Sequence, residues 1–191
     1  MERRVIDMLY YTKLDSLREE TPKIQPIVFG ELAFQIEERF RVQREDVKII
    51  VEGAETKLNG DVEQMEVLLE NLVENALRYA KSTIWIKAAL KSEDNQVKIT
   101  VENDGAPIPE LDLPQLFNPF YKGNKGKFGL GLAIVKQIAE LHQGYPMITN
   151  TDNGVRFTVI LPSGEKQQLP SKGRKKEKRS NRTPPQNMAD Q

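Results

Sequence analysis

Asn71 and Asn75 sit one helical turn apart in the segment LLENLVENALRYA, residues 68–80, and Arg78 follows on the same side. At 100° per residue, Met65, Leu68, Leu69, Leu72 and Ala76 fall within about 100° of arc and mark the buried face of a helix. Asn71, Asn75 and Arg78 form a second stripe along one border of that face, with Tyr79 between the two stripes. Glu70 and Glu74 point to the opposite, solvated side. A row of amide, amide and guanidinium is thereby set along the lip of a core, where a cleft would open. Amide carbonyl oxygens can ligate a hard cation there, and the guanidinium can neutralise phosphate oxygens. On this helix alone the alternative stays equally open, that both asparagines are exposed or cap a neighbouring loop.

Two later stretches favour the chemical reading. FGLGLAIVKQ, residues 128–137, places Gly129 and Gly131 immediately before an apolar helix. Glycine lets backbone approach a ligand closely, and a helix N-terminus offers unpaired N–H groups to an anion. Such a glycine pair is weak evidence by itself. VENDGAPIP, residues 101–109, ends a strand in Asn103, Asp104 and Gly105 before a proline turn. A carbonyl or carboxylate at a strand end can accept a hydrogen bond from the exocyclic amine of a base.

The surrounding pattern supplies the elements that must hold these groups. Residues 1–20 place Ile6, Leu9, Tyr10, Leu14 and Leu17 on one helical stripe, and the expectation is that a helix of another chain covers it. Pro22 and Pro26 then predict an extended linker. A second helix is expected from Glu31 to Arg41, burying Leu32, Phe34, Ile36 and Phe40 in part. VKIIVEG, residues 47–53, reads as a strand, and Gly60 turns the chain into the asparagine-bearing helix. Asp61 is a good N-cap for it, with Gln64 in capping-box position. Ile84, Ile86 and Ala88, then Val97, Ile99 and Val101, alternate as two strands around the polar turn SEDNQ. Trp85, between Ile84 and Ile86, faces the other side. A Gly/Pro-bearing loop over residues 103–129 precedes a helix from about Gly129 to Leu141, and YPMIT and VRFTVILP flank a hairpin turn at Asp152-Asn153-Gly154.

The chain has 191 residues, 38% of them hydrophobic, which suffices for one core. Formal net charge is zero, yet residues 171–182 hold seven basic side chains against one acidic, leaving the remainder acidic. That tail is read as a solvated, disordered end rather than a contact for nucleic acid or an anionic membrane. With no cysteine, disulfides and thiolate metal sites are excluded and a reducing compartment fits. No apolar run is long enough to span a membrane and no leader opens the chain, so a soluble piece is expected.

Taken in order, NLVENALRY, NDGAPIP, LFNPFYKG and GKFGLGLAIVKQIAELHQG resemble the N, first glycine, F and second glycine boxes of bacterial sensor histidine kinases. Those kinases carry the ATP-binding catalytic domain of the wider GHKL ATPase superfamily, and the resemblance extends over residues 1–163. It implies an α+β, two-layer α/β sandwich of the Bergerat type, with ATP between the N-box helix and a flexible lid. It also implies three parts: residues 1–21 as the second helix of a dimerisation and phosphoacceptor hairpin, 22–163 as the ATP-binding domain, and 164–191 as a disordered basic tail. By the same resemblance Asn75 would bind Mg²⁺ between the phosphates with Asn71 assisting, while Arg78 and Tyr79 touch phosphate and nucleotide. Asn103, Asp104, Gly105 and Ile108 would form the base-binding box. Gly129, Leu130, Gly131 and Leu132 would wrap the phosphates. Tyr121 to Phe128 would be the lid, with Tyr121 and Lys122 at the nucleotide and Lys125 and Lys127 adding charge. Thr158 would help bind the adenine.

Where the family carries an aspartate that accepts from the adenine amine, this chain has Asn103, and Pro107 replaces the second glycine of that box. The hydrolytic branches of the superfamily place a glutamate one turn before the metal-binding asparagine; here that place is Asn71. No base for water is evident, which points to histidine phosphorylation. The single histidine, His142 in ELHQG, is read as capping or packing, so the phosphoacceptor is expected outside this chain. The resemblance further implies a response regulator as partner, a homodimer formed through the first helix, and the cytoplasmic side of a membrane-anchored parent as location. No nucleic acid is expected as partner. The competing reading is a non-catalytic nucleotide-binding signalling module of the same superfamily.

Overall fold

Apolar stripes at helical spacing and strands of period two need a common interior, and here they find it between two layers. The computed structural model describes residues 2–16, 22–121 and 129–164. In chain order the elements are α1 (Glu2–Ser16), β1 (Gln25–Val28), α2 (Phe29–Arg41), β2 (Lys48–Glu52), β3 (Lys57–Gly60), α3 (Val62–Tyr79), β4 (Thr83–Lys91), β5 (Gln96–Asn103), α4 (Gly131–Leu141), β6 (Tyr145–Thr151) and β7 (Gly154–Pro162). A short 3-10 turn occupies Leu113–Gln115. One sheet has the order β2-β4-β5-β7-β6, in which β2 and β4 run parallel and all other neighbours antiparallel.

The inner face of that sheet follows from alternation. Ile84 and Ile86 of β4, Ile99 and Val101 of β5, and Phe157 and Val159 of β7 are all buried. They pack with Ile36 and Phe40 of α2, Leu68 and Leu72 of α3, and Ile134 and Ile138 of α4. Fully burying a side chain of this size contributes about 1.5–3 kcal/mol, so the sandwich rests on these contacts. The result is the expected α+β, two-layer architecture. Trp85 and its cross-strand neighbours Glu102 and Arg156 lie on the opposite face, as the alternation requires.

Several local expectations change. The proline-bearing linker contains a strand: β1 pairs antiparallel with β3, Pro26 opposite Asn59, in a separate two-stranded sheet. Helix α2 begins at Phe29, which is itself buried, and Phe34 is 61% exposed because its position on the wheel misses the core. Helix α1 is covered in part by its own chain. Leu14 is buried in the main core and Tyr10 is half-buried beside it. Burial first, then the Asp61 and Glu63 carboxylates, push the Tyr10 phenol up to about 12. Val5, Ile6, Met8 and Leu9 remain exposed. Leu17 and the basic tail lie outside the described residues.

His142 ties the end of α4 to the start of α3. The Asp61 N–H donates to His142 Nε2 at 3.0 Å, and Nδ1–H donates to the Ile138 carbonyl at 2.8 Å. The ring is therefore neutral, with its proton on Nδ1. Asp61 caps α3 as expected, its Oδ1 accepting from the Gln64 N–H at 3.2 Å. The box is not closed, because His142 takes the Asp61 N–H and Gln64 Oε1 is buried without a partner. Burial lowers the His142 pKa from its ordinary 6.5, against the pull of the Ile138 carbonyl and the Asp61 carboxylate. The unfolded chain thus takes up the proton first, and stability falls as pH drops from 6.5 toward the lower folded value. Urea unfolding at about pH 7.5 and about pH 5.5 checks this: wild type loses stability on acidification, and His142→Asn loses less.

Candidate functional site

Helix α3 exposes a border of its buried face where the sheet stops short, and there the walls enclose a cavity of about 330 Å³. Asn75, Arg78 and Tyr79 of α3 form one wall, and Asn103 closes the end of β5. Ala106 to Pro109 form the rim on the loop after β5, with Asp112 and Leu116 beyond them. Leu132 of α4, and Val155 and Phe157 of β7, complete the lining.

The loop between Asn103 and Pro109 is held from two sides. Asp104 accepts from the N–H groups of Lys81 at 2.8 Å and Ser82 at 3.0 Å, and from the Ser82 hydroxyl at 2.6 Å. Partial burial acts to raise its carboxyl, but the hydroxyl and the backbone donors outweigh it and bring the pKa down to about 2. From β6, Asn150 clamps the other side of the loop. Its Oδ1 accepts from the Ile108 N–H at 2.9 Å, and its Nδ2 donates to the Ile108 carbonyl at 2.8 Å. Gly105 passes so close to α3 that a Cβ there would stand 2.3 Å from the Tyr79 carbonyl oxygen.

The other end of the site is the start of α4. Leu130 is its N-cap, and among the described residues no side chain caps it, which leaves the first-turn N–H groups open to an anion on that side. Gly131 faces Asn71, whose Oδ1 would lie 2.7 Å from a Cβ built there. Gly129 has φ +53° and its carbonyl accepts from the Phe120 N–H at 3.0 Å. Tyr121, next along, donates its hydroxyl to Asp112 Oδ1 at 2.7 Å.

Of the residues expected at the site, Asn75, Arg78, Tyr79, Asn103, Ile108 and Leu132 meet around one cavity. Tyr121, Gly129, Leu130 and Gly131 stand at its α4 end, and Gly105 beneath its rim. Three others are placed elsewhere. Asn71 donates its amide to the Val67 carbonyl at 2.8 Å and turns its oxygen toward Gly131, joining α3 to α4. Asp104 is committed to Lys81 and Ser82 and is absent from the wall. Thr158 pairs with Thr100 and Met147, and alternation puts it on the sheet face opposite Phe157, away from the cavity. Lys122, Lys125, Lys127 and the rest of the expected lid beyond Tyr121 lie outside the described residues. Glu70 and Glu74 do not line the cavity; Glu70 pairs with Arg39 of α2, and Glu74 lies 3.6 Å from Arg78.

Sequence reasoning missed the apolar floor of Val155 and Phe157, the Asn150 clamp, and Asp112. Parity from the neighbouring buried strand residues would have found the floor. The clamp joins residues 42 positions apart and leaves no local trace. Among the described residues no cluster of three or more His, Cys, Asp or Glu could hold a metal unaided, and no helix is long and apolar enough to cross a membrane.

The chain is similar to known proteins over most of its length. Residues 60–165 match the family model described as histidine kinase-, DNA gyrase B-, and HSP90-like ATPase. The chain is 39% identical over 165 residues to the sensor histidine kinase CssS of Bacillus subtilis, covering 85% of this chain and 36% of that protein. It is 34% identical over 171 residues to the sensor histidine kinase CusS of Escherichia coli O6:H1, covering 85% and 35% respectively. The chain thus spans about a third of the length of these relatives. Among solved structures, the catalytic domain of histidine kinase ThkA superposes with a TM-score of 0.68 at 26% identity, covering 74% of this chain and 96% of that one.

Proposed function

Because the chain belongs to the histidine kinase-, DNA gyrase B- and HSP90-like ATPase family, we propose that it is the ATP-binding catalytic part of a sensor histidine kinase. The observation that carries this reading is one cavity bounded by Asn75, Arg78 and Asn103, with the uncapped start of α4 at one end. The triphosphate lies between Arg78 and the α4 N-terminus, where guanidinium and unpaired N–H groups offset its charge. The base lies against Val155, Phe157 and Ile108, which exclude water from its faces. Mg²⁺ fits here only jointly with the nucleotide, since Asn75 contributes a single oxygen and no carboxylate cluster among the described residues stands beside it. When bound it would neutralise developing charge on the transferred phosphoryl group.

Transfer goes to a histidine on a partner helix rather than to water. The one carboxylate in the described wall, Asp112, is engaged by the Tyr121 hydroxyl, and neither Glu70 nor Glu74 reaches the cavity. His142 is enclosed between α3 and α4 with both ring nitrogens used. The phosphoryl group is then relayed to an aspartate of a response regulator. The exposed Val5, Ile6, Met8 and Leu9 of α1 support a role for that helix in a homodimer. We place this part of the protein on the cytoplasmic side of a membrane-anchored parent, by its likeness to sensor histidine kinases.

Labelled ATP tests the reading. The chain is expected to bind a fluorescent ATP analogue in a Mg²⁺-dependent way and to form no acid-labile phosphohistidine by itself. Label should appear on an added hairpin that carries the acceptor histidine. Label on His142, or no nucleotide binding at all, would contradict the assignment.

A further inference from the structure

The end of the cavity away from α4 is closed by a group whose hydrogen-bonding capacity is unused. Asn103 is 1% exposed, lines the cavity, and its Nδ2 is buried without a hydrogen-bond partner. Native proteins seldom leave such a donor unpaired, because its desolvation is not offset. Helix α3 gives the scale of the site. Asn71 touches Gly131 at the start of α4, and Tyr79 touches Gly105 beside Asn103. Eight residues of helix separate these contacts, about 12 Å, a span that suits a nucleotide with phosphates at one end and base at the other. Beside Asn103 the wall is Val155, Phe157 and Ile108, so the amide is the polar group that meets the edge of the base.

We infer that Asn103 lets this site take a 6-oxopurine nucleoside triphosphate about as well as ATP. The inference rests on the nucleotide reading above. A carboxamide carries one donor group and one acceptor, and a half turn about its last torsion exchanges them. Toward adenine, Oδ1 accepts from the 6-amino group and Nδ2 donates to N1. Toward a 6-oxopurine, Nδ2 donates to the C6 carbonyl and Oδ1 accepts from N1–H. Each pairing uses both atoms, and neither is charge-assisted. A carboxylate in this place has acceptors only. It would welcome the amine and repel the carbonyl, and a polar site that leaves groups unpaired rejects the wrong ligand strongly.

Competition between a fluorescent ATP analogue and unlabelled ATP or ITP measures the preference, since ITP changes the 6-position without adding a group at C2. Wild type is expected to bind the two within about tenfold of each other. Asn103→Asp is expected to shift the ratio toward ATP by roughly ten- to a hundredfold, the cost of setting an acceptor against an acceptor. A wild-type preference for ATP beyond about a hundredfold would overturn the inference and leave the ATP site standing. Failure of both nucleotides to bind would remove the underlying reading and the inference with it. If thermal melting shows Asn103→Asp unfolded, the wild-type ratio decides alone.

Discussion

Replacing Asn75 with alanine is expected to weaken Mg-ATP binding about a hundredfold, or about 2.7 kcal/mol, without lowering the stability of the chain. Asn75 is half-buried in the cavity wall, and its amide makes no hydrogen bond to the described residues. Its oxygen is thus free for a ligand, and truncation removes no internal contact. Alanine is also the better helix former, by a few tenths of a kcal/mol, so α3 should hold its shape or gain slightly. A loss of binding could not then be ascribed to unfolding. Asn71 provides the contrast. Its amide already serves the Val67 carbonyl and its oxygen faces Gly131, so Asn71→Ala should weaken nucleotide binding by less. Titration of a fluorescent ATP analogue into both variants, with thermal melts alongside, checks the pair. Equal binding by wild type and Asn75→Ala would remove the metal and phosphate role from this helix.

The contrast between the two asparagines marks how far the sequence reaches. Helical period alone placed Met65, Leu68, Leu69, Leu72 and Ala76 in the core and Asn75 and Arg78 on its border, and all of these lie where the wheel puts them. Whether an amide on that border serves a ligand or the neighbouring helix depends on what packs beside it. For Asn71 the neighbour is Gly131, sixty residues away. Strands β4 and β5 were legible because Ile84, Ile86, Val97, Ile99 and Val101 alternate over a short turn. Strands β1 and β3 were not, since four residues each carry little pattern and their pairing, Gln25 with Gly60, spans the whole of α2 and β2. Helix α1 shows the same limit. Its stripe was visible, but nothing local says that Leu14 is covered by the chain's own α4.

Thr158 and Asp104 lie off the cavity wall for a different reason. Both are polar residues beside true lining residues, and in a strand or tight loop the next residue faces elsewhere. Phe157 looks into the cavity, so Thr158 cannot. Asn103 closes the cavity, and Asp104 turns to the backbone donors of Lys81 and Ser82, where it fixes the junction of α3 with β4. Asp104, engaged there, does not stand in for the aspartate that Asn103 replaces. The proposed base end of this site carries an amide in place of a charge.

At the other end, Gly129→Val is expected to cost about 3 kcal/mol of stability and to reduce ATP affinity at least tenfold. Gly129 adopts φ +53°, a region that a β-branched residue strongly resists. Space is also lacking. A Cβ at this position would stand 2.1 Å from the Tyr121 carbonyl oxygen and 2.7 Å from the Phe120 carbonyl carbon, both backbone atoms. Side chains can swing away from a clash, but here the Phe120–Tyr121 backbone itself must move. That movement breaks the Phe120 N–H to Gly129 carbonyl bond and draws Tyr121 away from Asp112 in the cavity wall. It also tilts the first turn of α4, whose unpaired N–H groups are the proposed phosphate contact. Gly131→Ala separates these effects. Its Cβ would meet only the Asn71 oxygen, at 2.7 Å, and alanine favours the helix by up to about 1 kcal/mol. Stability should therefore change little at residue 131 and fall clearly at residue 129. Urea unfolding gives that difference, and ATP titration shows whether affinity follows the glycine at the neck or the stability of the fold. If Gly129→Val bound ATP as tightly as wild type, the start of α4 would not be where the phosphates lie.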